Sequence, residues 1–330
     1  MRLVDREPVV PRERLLASLV PPPRFADVRF ATYRPDPLQP SQSAALAALQ
    51  ELAGTLRPRR RAVFRRAEAT PKGIYLDGGY GVGKTHLLAS LWHEAPEPRA
   101  YCTFVELTHL VGALGFAATV EALSSYRLLA IDEFELDDPG DTVLVSTLLQ
   151  RLVSVGVGLA ATSNTLPDAL GQGRFSAEDF LREIQGLRAH FTSMRMDGDD
   201  FRHRGMPTAP APLTEQALEA LAGRTPGASY DGFESLLQHL ARLHPSRYGV
   251  LVEDVELVCL DKLGQLVDQA AALRFVVLAD RLYDRGVPLA TSGVPLDQLF
   301  PPELLAGGHR KKYLRALSRL TALARQANAC

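Results

Sequence analysis

The amino-acid sequence predicts an α/β fold, a parallel sheet covered by helices, on three observations. Over residues 73 to 205, short β-rich runs ("GIYL", "AYCTFV", "YRLLAID", "GVGLAATS", "FTSMRM") alternate with helical stretches, the pattern of parallel strands joined by crossover helices. The first run leads into "GGYGVGKT", residues 78 to 85, and then into the leucine-rich "THLLASLWHEA". The third closes on two adjacent carboxylates, Asp132 and Glu133. Strand, glycine loop with Lys-Thr, and helix, in that order, predict a phosphate-loop nucleotide-binding core.

The chain has 330 residues, 46% of them apolar, and a formal net charge of -1. Single cores stop growing near about 250 to 300 residues, so this length carries one large domain with an appendage, or two domains. The balanced charge argues against a global positive field, and a nucleic-acid partner is not expected. Cys102, Cys259 and Cys330 lie far apart with no CxxC pair, which argues against disulfides and zinc and fits a reducing compartment. "MRLVDREPVVPRERLL" carries early acids and no continuous apolar core, unlike a signal peptide, and no stretch reaches the roughly 18 apolar residues of a membrane helix. A cytoplasmic protein is expected. Composition divides it into an N-terminal extension and helix (1 to 72), the phosphate-loop core (73 to 205) and a smaller α+β region with a lid-like last helix (206 to 330). The proline-rich "RHRGMPTAPAPLT" marks the second boundary.

Residues 1 to 40, rich in proline and arginine, read as an extended lead-in. "SQSAALAALQELAG" reads as a helix with Ser41 as N-cap and Gly54 as stop. Arg57, Arg59, Arg60, Arg61, Arg65 and Arg66 then crowd one segment, either a solvated face or a site for phosphate or an acidic partner. Beyond residue 214 come helix-like stretches to about 244, a strand candidate "GVLVEDVELVCL" (249 to 260) and the unit "ALRFVVLADRLYDRGVPLATSG" (272 to 293). The end of that unit echoes "GVGLAATS", although two short matches do not establish a repeat. The last element, "GHRKKYLRALSRLTALARQ", places Leu314, Leu317, Leu320 and Ala324 on one stripe and Lys311, Arg315 and Arg319 on another. A docked amphipathic helix with a basic face is expected.

The chemistry concentrates at the carboxyl ends of the strands. Gly78, Gly79, Tyr80, Gly81, Val82, Gly83, Lys84 and Thr85, with His86 following, are the expected cradle for ATP. Glycines let backbone N–H groups curl around phosphates, and the helix N-terminus adds partial positive charge. Lys84 is expected to bridge the β- and γ-phosphates, and Thr85 with Asp132 to hold Mg2+. Glu133, one residue past the strand, is suited to orient and deprotonate water. The strand in "GVGLAATSNTLPD" delivers Asn164, which either holds the lytic water or a γ-phosphate oxygen, or caps a turn. Arg174 and Arg182 downstream of it, and Arg315 and Arg319 on the last helix, are candidates for an arginine finger or a cis contact to nucleotide. Most arginines on amphipathic helices only solvate a face; Arg174 and Arg319 rank first.

No NKxD-type base-reading motif and no LSGGQ-like signature occurs, and a small-molecule kinase has no need of a water-activating Glu beside the metal carboxylate. The reading is therefore ATP hydrolysis coupled to conformational change. At this point "LLAIDEFELDDPGD" followed by "LLQRLVSVGVGLAATSNTLPDAL" resembles the ZapE and AFG-one-like family of AAA+ ATPases, bacterial cell-division ATPases and their mitochondrial relatives. The marks are a DEFxxxDxxD pattern (Asp132, Glu133, Phe134, Asp138, Asp141) and a strand ending TSN before a proline, with weaker agreement in "DPLQPSQSAALAAL", "RFVVLADRLYD" and "LSRL". The resemblance implies an AAA+ module with ATP and Mg2+ as ligands, and hydrolysis linked to the tubulin-like division protein FtsZ, whose polymers bacterial members destabilise. By motif it implies Lys84 and Thr85 as Walker A, Asp132 and Glu133 as Walker B, Asn164 as sensor one, and Arg319 as the closing SRL arginine. The chain departs from the family at "AYCTFVELTHLVGAL" and "GQGRFSAEDFLREI", as a divergent, actinobacterial-type member would. The alternatives are a helicase-loader or initiator-like ATPase acting on nucleic acid, and a nucleotide-gated interaction module with little hydrolysis. Nucleotide-dependent self-association is compatible with each.

Overall fold

Strands buried on both faces need helices on both sides, and the computed structural model shows how this chain supplies them. It describes residues 1–9, 11–56, 72–79, 81–136, 139–165, 181–198 and 209–328. Tyr80, Asp138, Arg174, the Arg57 to Arg66 cluster and most of the proline-rich boundary lie outside the described residues. Two units divide the chain: Arg12–Pro21 with Phe25–Arg204, and Met1–Pro11 with Pro22–Arg24 and Gly205–Cys330.

The first of these units runs α1 (Arg12–Ala17), α2 (Pro40–Leu56), β1 (Gly73–Gly78), α3 (Lys84–Glu94), β2 (Arg99–Thr103), α4 (Phe104–Leu114), α5 (Phe116–Leu123), β3 (Leu128–Asp132), α6 (Pro139–Ser154), β4 (Gly158–Ser163), α7 (Leu181–Ala189) and β5 (Phe191–Met196). All five strands are parallel, in the order β2-β3-β4-β1-β5. β1, β3 and β4 are buried at every position. One face packs Tyr75, Ile131 and Ala161 against Leu107, Leu148 and Leu187; the other packs Leu76, Ala130 and Ala160 against Leu49, Leu87 and Leu88. Because β4 lies between β1 and β3, the phosphate loop, the Asp-Glu pair and Asn164 follow the three central strands at their carboxyl ends.

Local hydrogen bonding corrects several expected boundaries. Phe104 and Val105 are helical, although β-propensity extends the strand over them. The Thr103 hydroxyl accepts from Glu106 N (3.2 Å) while the Glu106 carboxylate accepts from Thr103 N (2.7 Å), a capping box that starts α4. α2 starts at Pro40, whose fixed φ suits the first helical position, and it passes through Gly54 to Leu56. Ser41 is not its cap; its Oγ accepts from Asp197 N at 2.9 Å. The early residues are not simply extended: α1 and short 3-10 turns at Leu3–Asp5, Pro23–Phe25 and Phe30–Thr32 interrupt them.

The other unit contains α8 (Glu215–Arg224), β6 (Ala228–Gly232), α9 (Phe233–Arg242), α10 (Tyr248–Leu251), β7 (Leu257–Leu263), α11 (Gln269–Arg285), β8 (Leu289–Gly293), α12 (Pro302–Ala306) and α13 (Arg310–Ala327). Its sheet is also parallel, β6-β7-β8. The chain's start belongs to it: the Met1 ammonium donates to Ala228 O (2.9 Å), and Leu3 N and Val4 N donate to the Asp231 carboxylate (2.9 and 3.1 Å). The strand expected over 249 to 260 begins instead as α10, and a turn with Asp254 at φ +60° separates it from β7.

The last helix departs from expectation in part. α13 buries Leu320 and Ala324 as expected, and Tyr313, Ala316, Leu323 and Ala327 with them, whereas Leu314 is 40% exposed. Arg315, assigned to a basic face, is buried: its NH2 lies 2.9 Å from Asp280 Oδ2 on α11, and Arg319 pairs with Asp280 Oδ1. Both stripes have helical spacing, and the one flanked by the arginines wins because α11 presents a buried acid to them.

Candidate nucleotide site

Gly83 ends the loop after β1 at φ +93°, and a Cβ there would lie 2.5 Å from the Tyr33 ring, so conformation and space both demand glycine. Among the described residues no side chain caps the start of α3, which leaves its first N–H groups for an anion. Lys84, 8% exposed, donates from Nζ to Gly78 O (3.0 Å), Gly79 O (2.6 Å) and Asn164 Oδ1 (2.9 Å). The expected Lys84 and Asn164 thus meet across β1 and β4.

Asp132 is the hub of the third strand. Its Oδ1 accepts from the Thr162 hydroxyl, from Thr85 Oγ1 (3.3 Å) and from Glu133 N (3.1 Å), and its Oδ2 from Tyr101 OH (2.8 Å). Glu133 has φ +52°, a left-handed conformation rare for a residue with a side chain. Asp132 Oδ1 and Thr162 Oγ1 (3.2 Å) both accept from its N–H and hold it there. Strain of this kind survives where the surroundings over-determine it, commonly at functional sites. The turn carries residue 133 out of the strand direction just past Asp132.

Several residues around the loop carry no motif. Tyr33 OH lies 3.0 Å from Val82 O in the loop and 3.3 Å from Gln42 Oε1. The Gln42 amide accepts from Asp36 N and donates to Asp197 O, both at 2.9 Å, which fixes its orientation. This brace ties the loop to the N-terminal segment and to the end of β5. Burial pushes the Tyr33 hydroxyl up to about 12, so it stays a donor at neutral pH. Tyr33→Phe keeps the ring against Gly83 and removes the bond to the loop. Nucleotide affinity is expected to fall by about 3- to 10-fold, from a net hydrogen-bond contribution of about 0.5–1.5 kcal/mol. Titration with a fluorescent ATP analogue checks it, and an unchanged Kd would show the bond to be idle. Asp77, 3% exposed, lies 3.7 Å from Arg195 NH1. Burial raises its carboxyl above the usual range, opposed by Arg195 and Lys84.

The His86 ring contacts the N-terminal segment, with Nε2 3.0 Å from Thr32 Oγ1 and 3.3 Å from Arg29 O. Arg182 is exposed on α7. In the other unit Arg319 pairs with Asp280 and lies over the Tyr283 ring at 5.2 Å, while Arg24 lies over the same ring at 4.0 Å.

A parallel sheet with a phosphate loop after β1, Asp-Glu after β3 and Asn after β4 defines a P-loop ATPase core of the AAA+ type, here with an additional region carrying a second sheet. The chain belongs to the AFG1-like ATPase family, whose model matches residues 9–225 and 220–329. Cell division protein ZapE of Escherichia coli (strain K12) is 27% identical over 293 residues, covering 76% of this chain and 77% of the relative. Lactation elevated protein 1 homolog B of Danio rerio is 24% identical over 297 residues, covering 72% and 58%. Among solved structures, AMPPCP-bound DnaA from Aquifex aeolicus is 14% identical with a TM-score of 0.41, covering 92% of this chain and 91% of that one. Among the described residues no single helix is long and apolar enough to cross a membrane; α4 and α5 pass together by length and composition, but bend by 116°.

Proposed function

We propose that the protein is a cytoplasmic, Mg2+-dependent ATP hydrolase that uses turnover to remodel a polymer of the FtsZ type. The observation that carries the hydrolytic part is Glu133 locked in a left-handed turn by Asp132 and Thr162. In this reading residues 78 to 86 cradle the phosphates and Lys84 neutralises the β- and γ-phosphates. Glu133 takes the proton of the water that attacks the γ-phosphorus as the bond to the β-phosphate oxygen breaks. Asn164, whose Oδ1 accepts from Lys84 Nζ at 2.9 Å, orients that water or a γ-phosphate oxygen in this reading. Thr85 Oγ1 and Asp132 Oδ1 are hard oxygen donors 3.3 Å apart, which fits Mg2+, an ion that usually completes its shell with phosphates and water. Bound there, the ion neutralises charge developing on the phosphates. Arg174 and Arg319 are proposed for finger or sensing roles, with self-association dependent on nucleotide, and residues 1 to 72, 73 to 205 and 206 to 330 as functional segments.

The division role rests on similarity to ZapE. ATPase activity measured with and without polymerised FtsZ, reading phosphate release and polymer mass together, is expected to show faster turnover and lost polymer. Turnover with neither quantity changed by the other protein would retain the ATPase and sink the division role.

A further inference from the structure

We infer that the second unit is a degenerate copy of the phosphate-loop core whose nucleotide half-site is closed by its own side chains, so that the chain takes one nucleotide and not two. The matching features lie within each unit separately. In the core, Tyr101 pairs with Ala130, and Asp132 follows two residues later; in the copy, Tyr230 pairs with Cys259, and Asp261 follows two residues later. Tyr101 and Asp132 are 31 residues apart, as are Tyr230 and Asp261 (261 minus 230). Tyr101 OH bonds to Asp132; burial and the neighbouring Asp261 carboxylate push the Tyr230 hydroxyl up. Three residues after each tyrosine a phenylalanine, Phe104 or Phe233, opens the next helix.

The polar constellation is repeated as well. The Thr162 hydroxyl donates to Asp132 Oδ1 and accepts from Glu133 N. The Ser292 hydroxyl donates to Asp261 Oδ1 (2.6 Å) and accepts from Lys262 N (2.8 Å). Glu133 has φ +52° and Lys262 φ +56°. The topology agrees too. Leu213 bridges Ser292 in parallel, as β1 lies along β4, and α8 follows it at once to pack on β6, β7 and β8, as α3 packs on β2, β3 and β4. α9 packs on α11 and α11 on α13, as α4 packs on α6 and α6 on α7.

What differs is what a nucleotide requires. Between β1 and α3 the core has the glycine loop; between Leu213 and α8 the copy has only Thr214. The Thr214 hydroxyl accepts from Ala217 N (3.2 Å), which occupies a helix N–H that an anion would use. Glu215 places a carboxylate in the first turn of α8, where a phosphate would be drawn by the helix dipole. It pairs with Lys262 Nζ at 3.4 Å, and Lys262 stands where the core has Glu133. The signs are inverted, an anion at the helix N-terminus and a cation at the irregularity near the end of β7, so neither phosphate nor water activation has a place. Naming Glu133 as the water-activating group rests on the proposed function; the duplication does not.

Titration of the full chain with a non-hydrolysable ATP analogue, read by calorimetry, tests this. One equivalent is expected to bind, to be abolished by Lys84→Ala, and to be unchanged in number by Lys262→Glu. A second equivalent, or binding that survives Lys84→Ala and falls in Lys262→Glu, would overturn the inference. No binding at all would sink the proposed ATPase while agreeing with a closed second unit. The same substitution in each copy gives an independent readout. Lys262→Gly is expected to leave kcat and KM for ATP unchanged and to hold or raise Tm, because glycine adopts positive φ freely. Glu133→Gly is expected to lose turnover. A tenfold fall in kcat for Lys262→Gly with unchanged Tm would show the second half-site to be active.

Discussion

Glu133→Gln is expected to retain ATP binding and to lose turnover by about 10²-fold or more, the contribution of a positioned general base. Glutamine keeps the size of the side chain, and the bonds from the residue 133 N–H to Asp132 and Thr162 use the backbone, so the left-handed turn stays in place. The proton acceptor is lost. Single-turnover phosphate release, set beside the Kd for a fluorescent analogue, separates the two effects. Turnover within a factor of two of the wild type would remove Glu133 as the base and favour a nucleotide-gated module in which ATP only fixes a surface.

The second large effect is structural. Asp280 on α11 is the shared counter-charge of Arg315 and Arg319, whose side chains are 6% and 13% exposed. Asp280→Ala leaves two guanidiniums without it, and removing one partner of a buried pair destabilises by about 3–5 kcal/mol. Burial by itself would push the Asp280 carboxyl up, but the neighbouring Arg315 and Arg319 hold it below the usual carboxylate range. A depressed folded value contributes stability that is present above the unfolded pKa of about 3.9 and is lost as pH falls through the folded one. Wild type is therefore expected to lose an acid-dependent increment of stability below about pH 4 that Asp280→Asn lacks. Thermal unfolding of both proteins across pH 2.5 to 7 measures it, and superimposable acid limbs would contradict the assignment.

The residues of the proposed nucleotide site were readable where they lie close in the chain. Gly83, Lys84 and Thr85 stand within one turn, and bringing Asp132 with Glu133 to the end of β3 needs only a strand that ends on schedule. The brace was not readable, because Tyr33 meets Val82 49 residues away and Gln42 meets Asp197 155 residues away. A tyrosine and a glutamine in a proline-rich stretch carry no pattern that names such partners. The basic face assigned to α13 failed for a related reason: helical periodicity shows which residues share a side, not that Asp280, 35 residues before Arg315, offers a charge to that side.

By itself the sequence determined the parallel α/β class, the phosphate loop and the carboxylate pair, because local geometry and residue type suffice for those. Tertiary structure alone decided that residue 133 is left-handed and that Arg315 and Arg319 turn inward, and it turned the echo of "GVGLAATS" in "GVPLATS" into the inference of a second copy of the core fold. Each of these depends on a hydrogen bond or ion pair between distant strands or helices, and side chains that meet only after folding leave no periodic trace in the chain.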